Sequence, residues 1–169
     1  MKKPRPDFEL DEVDLAILEQ LQQNCRQTVA QISSRVHLST SACHRRIKVM
    51  EDKNVITNYT AKLSPKELGF TTEFFVELSL AVQADDAFEK FEKEVVKIPE
   101  VLECYLVGGQ YDYLLRVVAQ DTEDYERIHR EAIARLPGVT RIQSILLLRS
   151  VKVGQGLPID IVGPPAEPS

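Results

Sequence analysis

The apolar positions in the first third of the chain follow a helical period. Between residues 11 and 23 they recur three and four positions apart, and the same spacing returns over residues 28–36 and 39–53. Thr28 and Ser39 begin the second and third of these segments, where a hydroxyl oxygen can accept a hydrogen bond from an unpaired backbone amide. The pattern therefore predicts three helices joined by short turns.

The pattern changes after residue 55. Alternating apolar positions over residues 56–63 predict one or two short strands, and the turn-forming residues that follow predict a linker. Beyond the linker, strands and amphipathic helices are predicted in the order β-α-β-β-α-β. The predicted strands cover residues 71–82, 101–107, 112–119 and 139–151, and the predicted helices cover residues 85–98 and 122–136.

A helix–proline–strand junction occurs twice, at residues 97–101 and 135–139. Each helix should end before its proline, because the residue before proline is disfavoured in the α region. Two such βαβ halves predict a ferredoxin-like α+β domain with both helices on one face of the sheet. The apolar run at residues 145–148 suits a strand buried on both sides. We therefore expect a second subunit to cover the other face, giving a homodimer.

These boundaries divide the chain into five parts. We expect a flexible arm over residues 1–9, a helix-turn-helix domain over 10–63, a linker over 64–70, an αβ domain over 71–153, and a partly disordered tail over 154–169. No apolar run approaches the ~20 residues of a membrane span, and the start has no apolar signal-peptide segment. Three widely spaced cysteines without a CxxC pair indicate reduced thiols in a cytoplasm.

The net charge of −5 argues against a nucleic-acid partner until its distribution is considered. Residues 24–63 carry a local charge of +5, whereas residues 64–169 carry −7. One stretch of the chain can therefore face phosphates while the rest avoids them.

The third predicted helix carries different side chains on its two faces. Cys43, Ile47 and Met50 share one face at about 100° per residue. The opposite face is first small and polar, then basic, with Ser41, His44, Arg45 and Lys48. A helix that enters the DNA major groove needs small residues at its N-terminal end and an arginine that can contact guanine. The pattern predicts a DNA-reading helix; the alternative is an ordinary solvated face of a helical bundle.

Other residues extend this prediction. Ser39 and Thr40 lie at the start of the helix, where backbone amides face phosphate, and Thr57 and Asn58 are predicted as the tip of a short wing or as an ordinary turn. Lys2, Lys3 and Arg5 form either a minor-groove arm or a frayed terminus. Arg46 lies on the flank of the basic face, and we expect it to form an ion pair with Glu51 or Glu19.

The turn over residues 108–112 is the candidate effector loop. Gly108 and Gly109 leave backbone amides open to a carboxylate, and Asp112 can receive an ammonium group, which together would suit a free α-amino acid. The alternative is a hairpin turn that merely requires glycine.

Four motifs resemble the leucine-responsive/asparagine-regulator (Lrp/AsnC) family. They are Leu10-Asp11-x-x-Asp14-x-x-Ile17-Leu18-x-x-Leu21-Gln22, Leu38-Ser39-x-Ser41-x-Cys43-x-x-Arg46-Ile47, Val55-Ile56-x-x-Tyr59-x-Ala61 and Gly109-x-Tyr111-Asp112-Tyr113-Leu114-Leu115. The resemblance covers roughly residues 10–152. His37 and Asn54 stand where the family usually or often has glycine, and both residue types tolerate a positive φ. The stretch after Lys152 is less typical of the family.

The resemblance implies a transcriptional regulator with a winged helix-turn-helix, an amino-acid-sensing αβ domain, and dimers that often assemble into octamers. It places the effector between subunits at the glycine loop. The residues it implies for this site are Gly108, Gly109, Tyr111, Asp112, Asp121, Thr122, Ser144 and Leu146. The expected partners are double-stranded DNA, an amino acid and a second copy of the chain, and the further assembly implied is a tetramer of dimers. The expected location is the cytoplasm of a bacterium or archaeon, in association with the nucleoid.

Two other functions fit the same layout. One is an architectural protein that wraps DNA with little sequence preference. The other is an enzyme similar to the siroheme decarboxylases, which would need histidine or arginine in the αβ pocket. The second half of the chain holds only His129, with no nucleophile elbow, phosphate loop or HExxH motif. We therefore expect no catalysis, no metal and no cofactor.

Overall fold

The computed structural model describes residues 9–154 and 156–159, and these residues belong to two compact units. The first unit comprises the chain up to Ala61 together with the chain from Lys152 onward, and the second unit comprises Lys62–Val151. The predicted N-terminal arm, apart from Glu9, and the predicted disorder at the end of the tail lie outside the described residues. Within the described residues, no helix is long and apolar enough to cross a membrane.

The first unit contains the three predicted helices. They are α1 (Glu12–Gln23), α2 (Val29–Arg35) and α3 (Thr40–Asp52). The side chains of Asp11, Thr28 and Ser39 accept the backbone amides that begin them, as expected for N-caps. The helices pack around a small core of Ile17, Ile32, Cys43, Ile47 and Met50.

Two residues in the left-handed region follow α2 and α3. His37 and Asn54 both have φ of 55°, which confirms that these positions need a residue tolerant of positive φ. After each of them the chain reverses, and the amides of Leu38 and Val55 donate to the carbonyls of Ser33 and Met50 at 2.9 Å.

The strands predicted for residues 56–63 are absent, and that prediction is wrong for this chain. The segment is extended, but no described strand lies beside it, and an unpaired strand has no partner for its backbone groups. A side-chain contact holds it instead, since the Tyr59 hydroxyl donates to the Glu51 carboxylate at 3.0 Å. Within the predicted linker, a single 3₁₀ turn (Lys66–Leu68) ends at Gly69, which has φ of 89°.

The second unit is a four-stranded antiparallel sheet with two helices. Its elements are β1 (Thr72–Leu80), α4 (Asp85–Val95), β2 (Val101–Leu106), β3 (Tyr113–Ala119), α5 (Thr122–Glu131) and β4 (Val139–Leu146). The strand order is β2-β3-β1-β4, which confirms the ferredoxin-like prediction.

Both helices pack on the same face of this sheet. Alternate residues of β1 and β3 point to that face, and the buried side chains of α4 and α5 join them in one core. The rings of Phe74 on β1 and Tyr125 on α5 stack with centroids 3.6 Å apart, and Phe91 on α4 lies 4.2 Å from Tyr113 on β3.

Several elements end earlier than the sequence predicts. The α-helix α5 stops at Glu131 and is followed by a 3₁₀ turn (Ile133–Arg135), and α4 stops at Val95. The strand β4 ends at Leu146, which pairs with Phe74 on β1. One further bond, from the Leu147 amide to the Glu73 carbonyl at 2.9 Å, closes the ladder.

The second face of the sheet is uncovered in the single chain. It presents apolar side chains, of which Tyr105 is 51% exposed and Ile145 is 41% exposed. Between them Arg116 on β3 forms ion pairs with Glu73 and Glu103, and the Glu73 hydrogen bond raises the pKa of this guanidinium. This mixed face is too apolar to be explained as an ordinary solvated surface.

Candidate functional site

The helix α3 separates buried and exposed residues as the sequence predicts. Cys43, Ile47 and Met50 lie in the core. All the residues predicted to contact DNA are exposed: Ser39, Thr40, Ser41, His44, Arg45, Lys48, Thr57 and Asn58. Six of these eight lie on α3 or its cap, so a rigid helix fixes their relative positions.

Hydroxyl groups organise the start of α3. The Ser39 hydroxyl oxygen accepts the Ala42 amide at 3.2 Å and lies 3.2 Å from the Ser41 hydroxyl. The Thr40 hydroxyl lies 3.4 Å from the Ser33 hydroxyl on α2, which ties the two helices at their turn. The first turn of α3 is therefore capped, small and accessible, as an approach to a phosphate backbone requires.

Arg45 and Lys48 on α3 differ in their surroundings. The Lys48 ammonium pairs with Asp52 one turn away at 2.8 Å, and this hydrogen bond raises the pKa of Lys48. In the part of the chain that the structure describes, the Arg45 guanidinium has no hydrogen-bond or ion-pair partner. Arg45 is thus an exposed bidentate donor with no intramolecular acceptor.

Arg46 has a structural role. Its Nη1 donates to Asp11 Oδ2 at 2.7 Å and to Asp14 Oδ1 at 2.8 Å. Asp14 is buried, and these two carboxylates also form the capping box of α1. The ion pair expected for Arg46 is present, but its partners are not Glu51 or Glu19, because the Arg46 side chain reaches the N-terminal end of α1.

Thr57 and Asn58 lie outside α3, in the segment that follows it. They border a groove of about 500 Å³ that also includes Leu10 and Leu18 near α1. His44 and Lys48 line a different depression, of about 290 Å³, next to α2. The two depressions are neighbours, because Leu21, Cys25 and Tyr59 line both of them.

The glycine loop between β2 and β3 is open. A Cβ atom added to Gly108 or Gly109 would meet nothing within 4 Å, so packing does not require glycine there. Asp112 is instead buried, and its two carboxylate oxygens accept the Leu80 amide at 2.7 Å and the Gln83 side-chain amide at 2.6 Å. Asp112 anchors the loop to the end of β1, and the geometry argues against its receiving a ligand ammonium group.

A small polar cleft lies beside this loop. Its lining residues are Glu77, Ser79, Gln110, Tyr111, Arg141 and Gln143, and its volume is about 30 Å³. Glu77 and Arg141 bring opposite charges into one cleft, which matches the two charged groups of a free amino acid. Sequence reasoning missed both residues because they come from strands far apart in the chain; the only signal was a charged residue at the outward position of each strand.

The other predicted effector residues lie elsewhere. Asp121 caps α5 by accepting the Asp124 amide at 2.8 Å, and Thr122 follows it. Ser144 is hydrogen-bonded to the Tyr125 hydroxyl at 2.5 Å on the helix side of the sheet, and Leu146 pairs with Phe74. Asp121, Thr122 and Leu146 lie near the far end of β3, about 20 Å from the glycine loop. One chain does not bring the whole predicted set together.

Metal ligands and reactive thiols would be needed for other chemistry. Among residues 9–154 and 156–159, no group of three or more histidine, cysteine or carboxylate side chains is placed to hold a metal ion. Of the three cysteines, Cys43 is buried and Cys104 is half-buried, and burial raises the pKa of Cys104 to about 11. A thiol with this pKa is a poor nucleophile near neutral pH.

The chain matches known proteins along most of its length. Residues 10–57 match the winged helix-turn-helix DNA-binding model, and residues 73–157 match the Lrp/AsnC ligand binding domain. The leucine-responsive regulatory protein of Klebsiella pneumoniae is 38% identical over 157 residues, which cover 93% of this chain and 96% of that protein.

Solved structures agree with this assignment. A transcriptional regulator of Neisseria meningitidis in complex with L-methionine is 36% identical, with a TM-score of 0.86 over 90% of this chain and 99% of that one. An AsnC family transcriptional regulator of Agrobacterium tumefaciens is 33% identical, with a TM-score of 0.84 over the same shares. The chain therefore belongs to the Lrp/AsnC family of transcriptional regulators.

Proposed function

We propose that this regulator reads double-stranded DNA with the exposed face of α3, and that a free amino acid bound at its second unit changes its DNA binding or its assembly. The observation that carries the DNA part is Arg45, an unpartnered arginine within the described chain that projects from a capped helix. Arginine in this setting can donate two hydrogen bonds to guanine in the major groove. Ser39, Thr40 and Ser41 allow close approach to the backbone, while His44 and Lys48 extend the contact.

The effector proposal centres on the cleft beside the glycine loop. The carboxylate of an amino acid would pair with Arg141, and its ammonium group would pair with Glu77. Gly108 and Gly109, in the loop beside the cleft, would leave space for the ligand because they carry no side chain. The space of about 30 Å³ in one chain holds about one water molecule, so a second copy must complete the site. Asp121, Thr122, Ser144 and Leu146 of a neighbouring subunit are the residues we propose for that role.

The nature of the effector is suggested by the relatives. The Neisseria meningitidis regulator was solved with L-methionine, and the Klebsiella pneumoniae relative is named as leucine-responsive. We propose a free amino acid with an apolar side chain as the effector of this chain. These relatives are named as transcriptional regulators, and we infer that the present chain is likewise not an enzyme.

The assembly proposal rests on the uncovered sheet face. A second copy would bury the exposed Tyr105 and Ile145 side chains in a homodimer, and dimers would associate further into a tetramer of dimers. Two α3 helices in a dimer would address half-sites about one turn apart, ~34 Å, on chromosomal DNA in the cytoplasm. An effector that binds one assembly state better shifts the population toward that state.

Fluorescence anisotropy tests the proposal. The protein is titrated into its own upstream DNA and into a shuffled duplex of equal length at one fixed salt concentration, with and without L-methionine, L-leucine and a panel of other amino acids. We expect tighter binding to the upstream DNA and a change with at least one apolar amino acid. Equal affinity for both duplexes would contradict sequence-specific reading, and indifference to every amino acid would contradict the effector site.

A further inference from the structure

Residues 156–159, which we name the strap, lie against α1. The side-chain amide of Gln22 pairs with the backbone of Leu157 in both directions. Gln22 Nε2 donates to the Leu157 carbonyl at 3.1 Å, and the Leu157 amide donates to Gln22 Oε1 at 2.5 Å. A glutamine amide offers a donor and an acceptor side by side, so this pairing fixes the position of the strap along the helix.

Gly156 permits this contact. A Cβ atom at this position would lie 2.2 Å from Gln22 Oε1 and 2.5 Å from Gln22 Cδ. Any other residue must therefore push the Gln22 side chain away from the strap and break the amide pairing. The backbone supplies the contact more than the side chain of Leu157 does, since that side chain is 80% exposed.

The strap lies along an apolar groove on the first unit. The groove of about 500 Å³ is lined by Leu10, Leu15, Leu18, Val55 and Ile56, together with Leu157 and Ile159 of the strap. Ile159 is half-buried there. The strap thus forms one wall of this groove, and α1 and the segment after α3 form the others.

The strap gives the first unit two connections to the second. The chain leaves the first unit after Ala61 and returns to it at Lys152, so residues 62–151 are joined to it at both ends. The second connection follows directly from β4, the strand that carries Arg141 of the proposed effector cleft. The chain that follows β4 therefore enters the first unit.

We propose that the strap is an integral part of the DNA-binding unit and that it transmits changes at β4 to α1, so that the effector response depends on the Gln22–Leu157 pairing. The transmission part rests on the function proposed above. The docking part does not, because it concerns contacts within the first unit alone. It can therefore be measured without DNA and without any amino acid.

The test compares three variants of the full chain by amide hydrogen exchange. Gln22→Ala and Gly156→Ala should each speed exchange at Leu157 by roughly tenfold, because two hydrogen bonds are lost. Gln23→Ala is the matched control, since Gln23 is exposed on the same helix and bonds only to Glu19. Exchange at Leu157 that is the same in all variants and in the wild type would overturn the docking of the strap.

The same variants are then titrated with DNA, with and without the amino acid to which the wild type responds. The quantity compared is the ratio of the DNA affinities measured with and without the amino acid. We expect this ratio to approach one in Gln22→Ala and Gly156→Ala and to stay at its wild-type value in Gln23→Ala. Faster exchange with an unchanged ratio would overturn the transmission role. A wild type that ignores every amino acid would overturn both the proposed effector function and the transmission role, while the exchange result would still decide the docking.

Discussion

Arg45 and Arg46 are adjacent on α3 but have different surroundings. Arg46 is held between two carboxylates of α1, whereas Arg45 projects outward without an acceptor among the described residues. A step of one residue, which turns the helix by about 100°, is enough to separate a residue that stabilises the fold from one that is available to a ligand.

We expect Arg45→Ala to weaken binding to the cognate DNA by about 1–3 kcal/mol, the range for losing a bidentate arginine–guanine contact. Fluorescence anisotropy against cognate and shuffled duplexes measures the change. Arg130→Ala is the charge-matched control, because Arg130 lies on α5 and pairs with Glu126. Equal losses for both variants would mean that net charge, and not Arg45, governs binding.

Replacing Arg46 should affect stability. In Arg46→Ala the buried Asp14 carboxylate loses its charged hydrogen-bond partner. We expect the free energy of unfolding to fall by about 1–3 kcal/mol, since a buried charged group would lose its hydrogen bond. Urea unfolding followed by circular dichroism measures this, with Arg45→Ala as a control of unchanged stability. A fall of the same size in Arg45→Ala would remove the distinction between the two arginines.

The Asp11 carboxyl predicts an acid dependence of stability. Burial raises its pKa, but hydrogen bonds from the Asp14 amide and from Arg46 outweigh that effect and hold the pKa below 3.8. A lowered folded-state pKa contributes stability above pH 3.8 that is lost as pH falls through the folded-state value. We expect Asp11→Asn, which preserves a capping oxygen, to show a smaller decline in unfolding free energy below about pH 4 than the wild type. Parallel declines would argue against this role of Asp11.

At the scale of elements, the ends of the helices depend on single residues. Asn54 follows α3 with φ of 55°, a conformation that disfavours residues with a Cβ atom but that asparagine tolerates. The turn it forms returns the Val55 amide to the Met50 carbonyl. Thr28 and Ser39 perform the corresponding task at the helix starts.

We expect Asn54→Ala to lower the free energy of unfolding by about 1 kcal/mol. The left-handed conformation is unfavourable for alanine, which lacks the short polar side chain by which asparagine can form a local hydrogen bond. Asn54→Gly should match or slightly exceed the wild type, since glycine enters this region freely. Thermal unfolding of the three proteins checks the order. An alanine variant as stable as the glycine variant would show that the positive φ carries no energetic cost here.

At the scale of the whole molecule, the uncovered sheet face predicts self-association. Ile145→Asp places a charge on that face and should shift the protein toward monomers in sedimentation velocity, because burying an unpaired carboxylate is costly. Val96→Asp makes the same change at a residue that is 78% exposed at the end of α4, in the helix layer, and should leave the mass unchanged. An Ile145→Asp protein with the wild-type mass would exclude this face as the dimer interface.

The sequence by itself determined the features that depend on near neighbours in the chain. Helical periodicity and the caps at Thr28 and Ser39 place the three helices of the first unit within a residue or two. The proline junctions of the second unit give only the latest position at which each helix can end, since α4 stops at Val95 and α5 at Glu131. The same periodicity distinguishes the exposed Arg45 from the buried Cys43, because the two faces of one helix follow from spacing alone.

Only the tertiary structure decided what depends on distant partners. The segment containing Tyr59 alternates like a strand but forms none, because no strand lies beside it among the described residues. Both carboxylate oxygens of Asp112 accept hydrogen bonds at and just after the end of β1. The cleft that contains Glu77 and Arg141 brings together residues that are 64 positions apart in the chain. The strap contact with Gln22 spans 135 positions. Local patterns set elements and faces, whereas strand pairing and packing between remote segments set the sites, since those contacts leave no periodic signal in the chain.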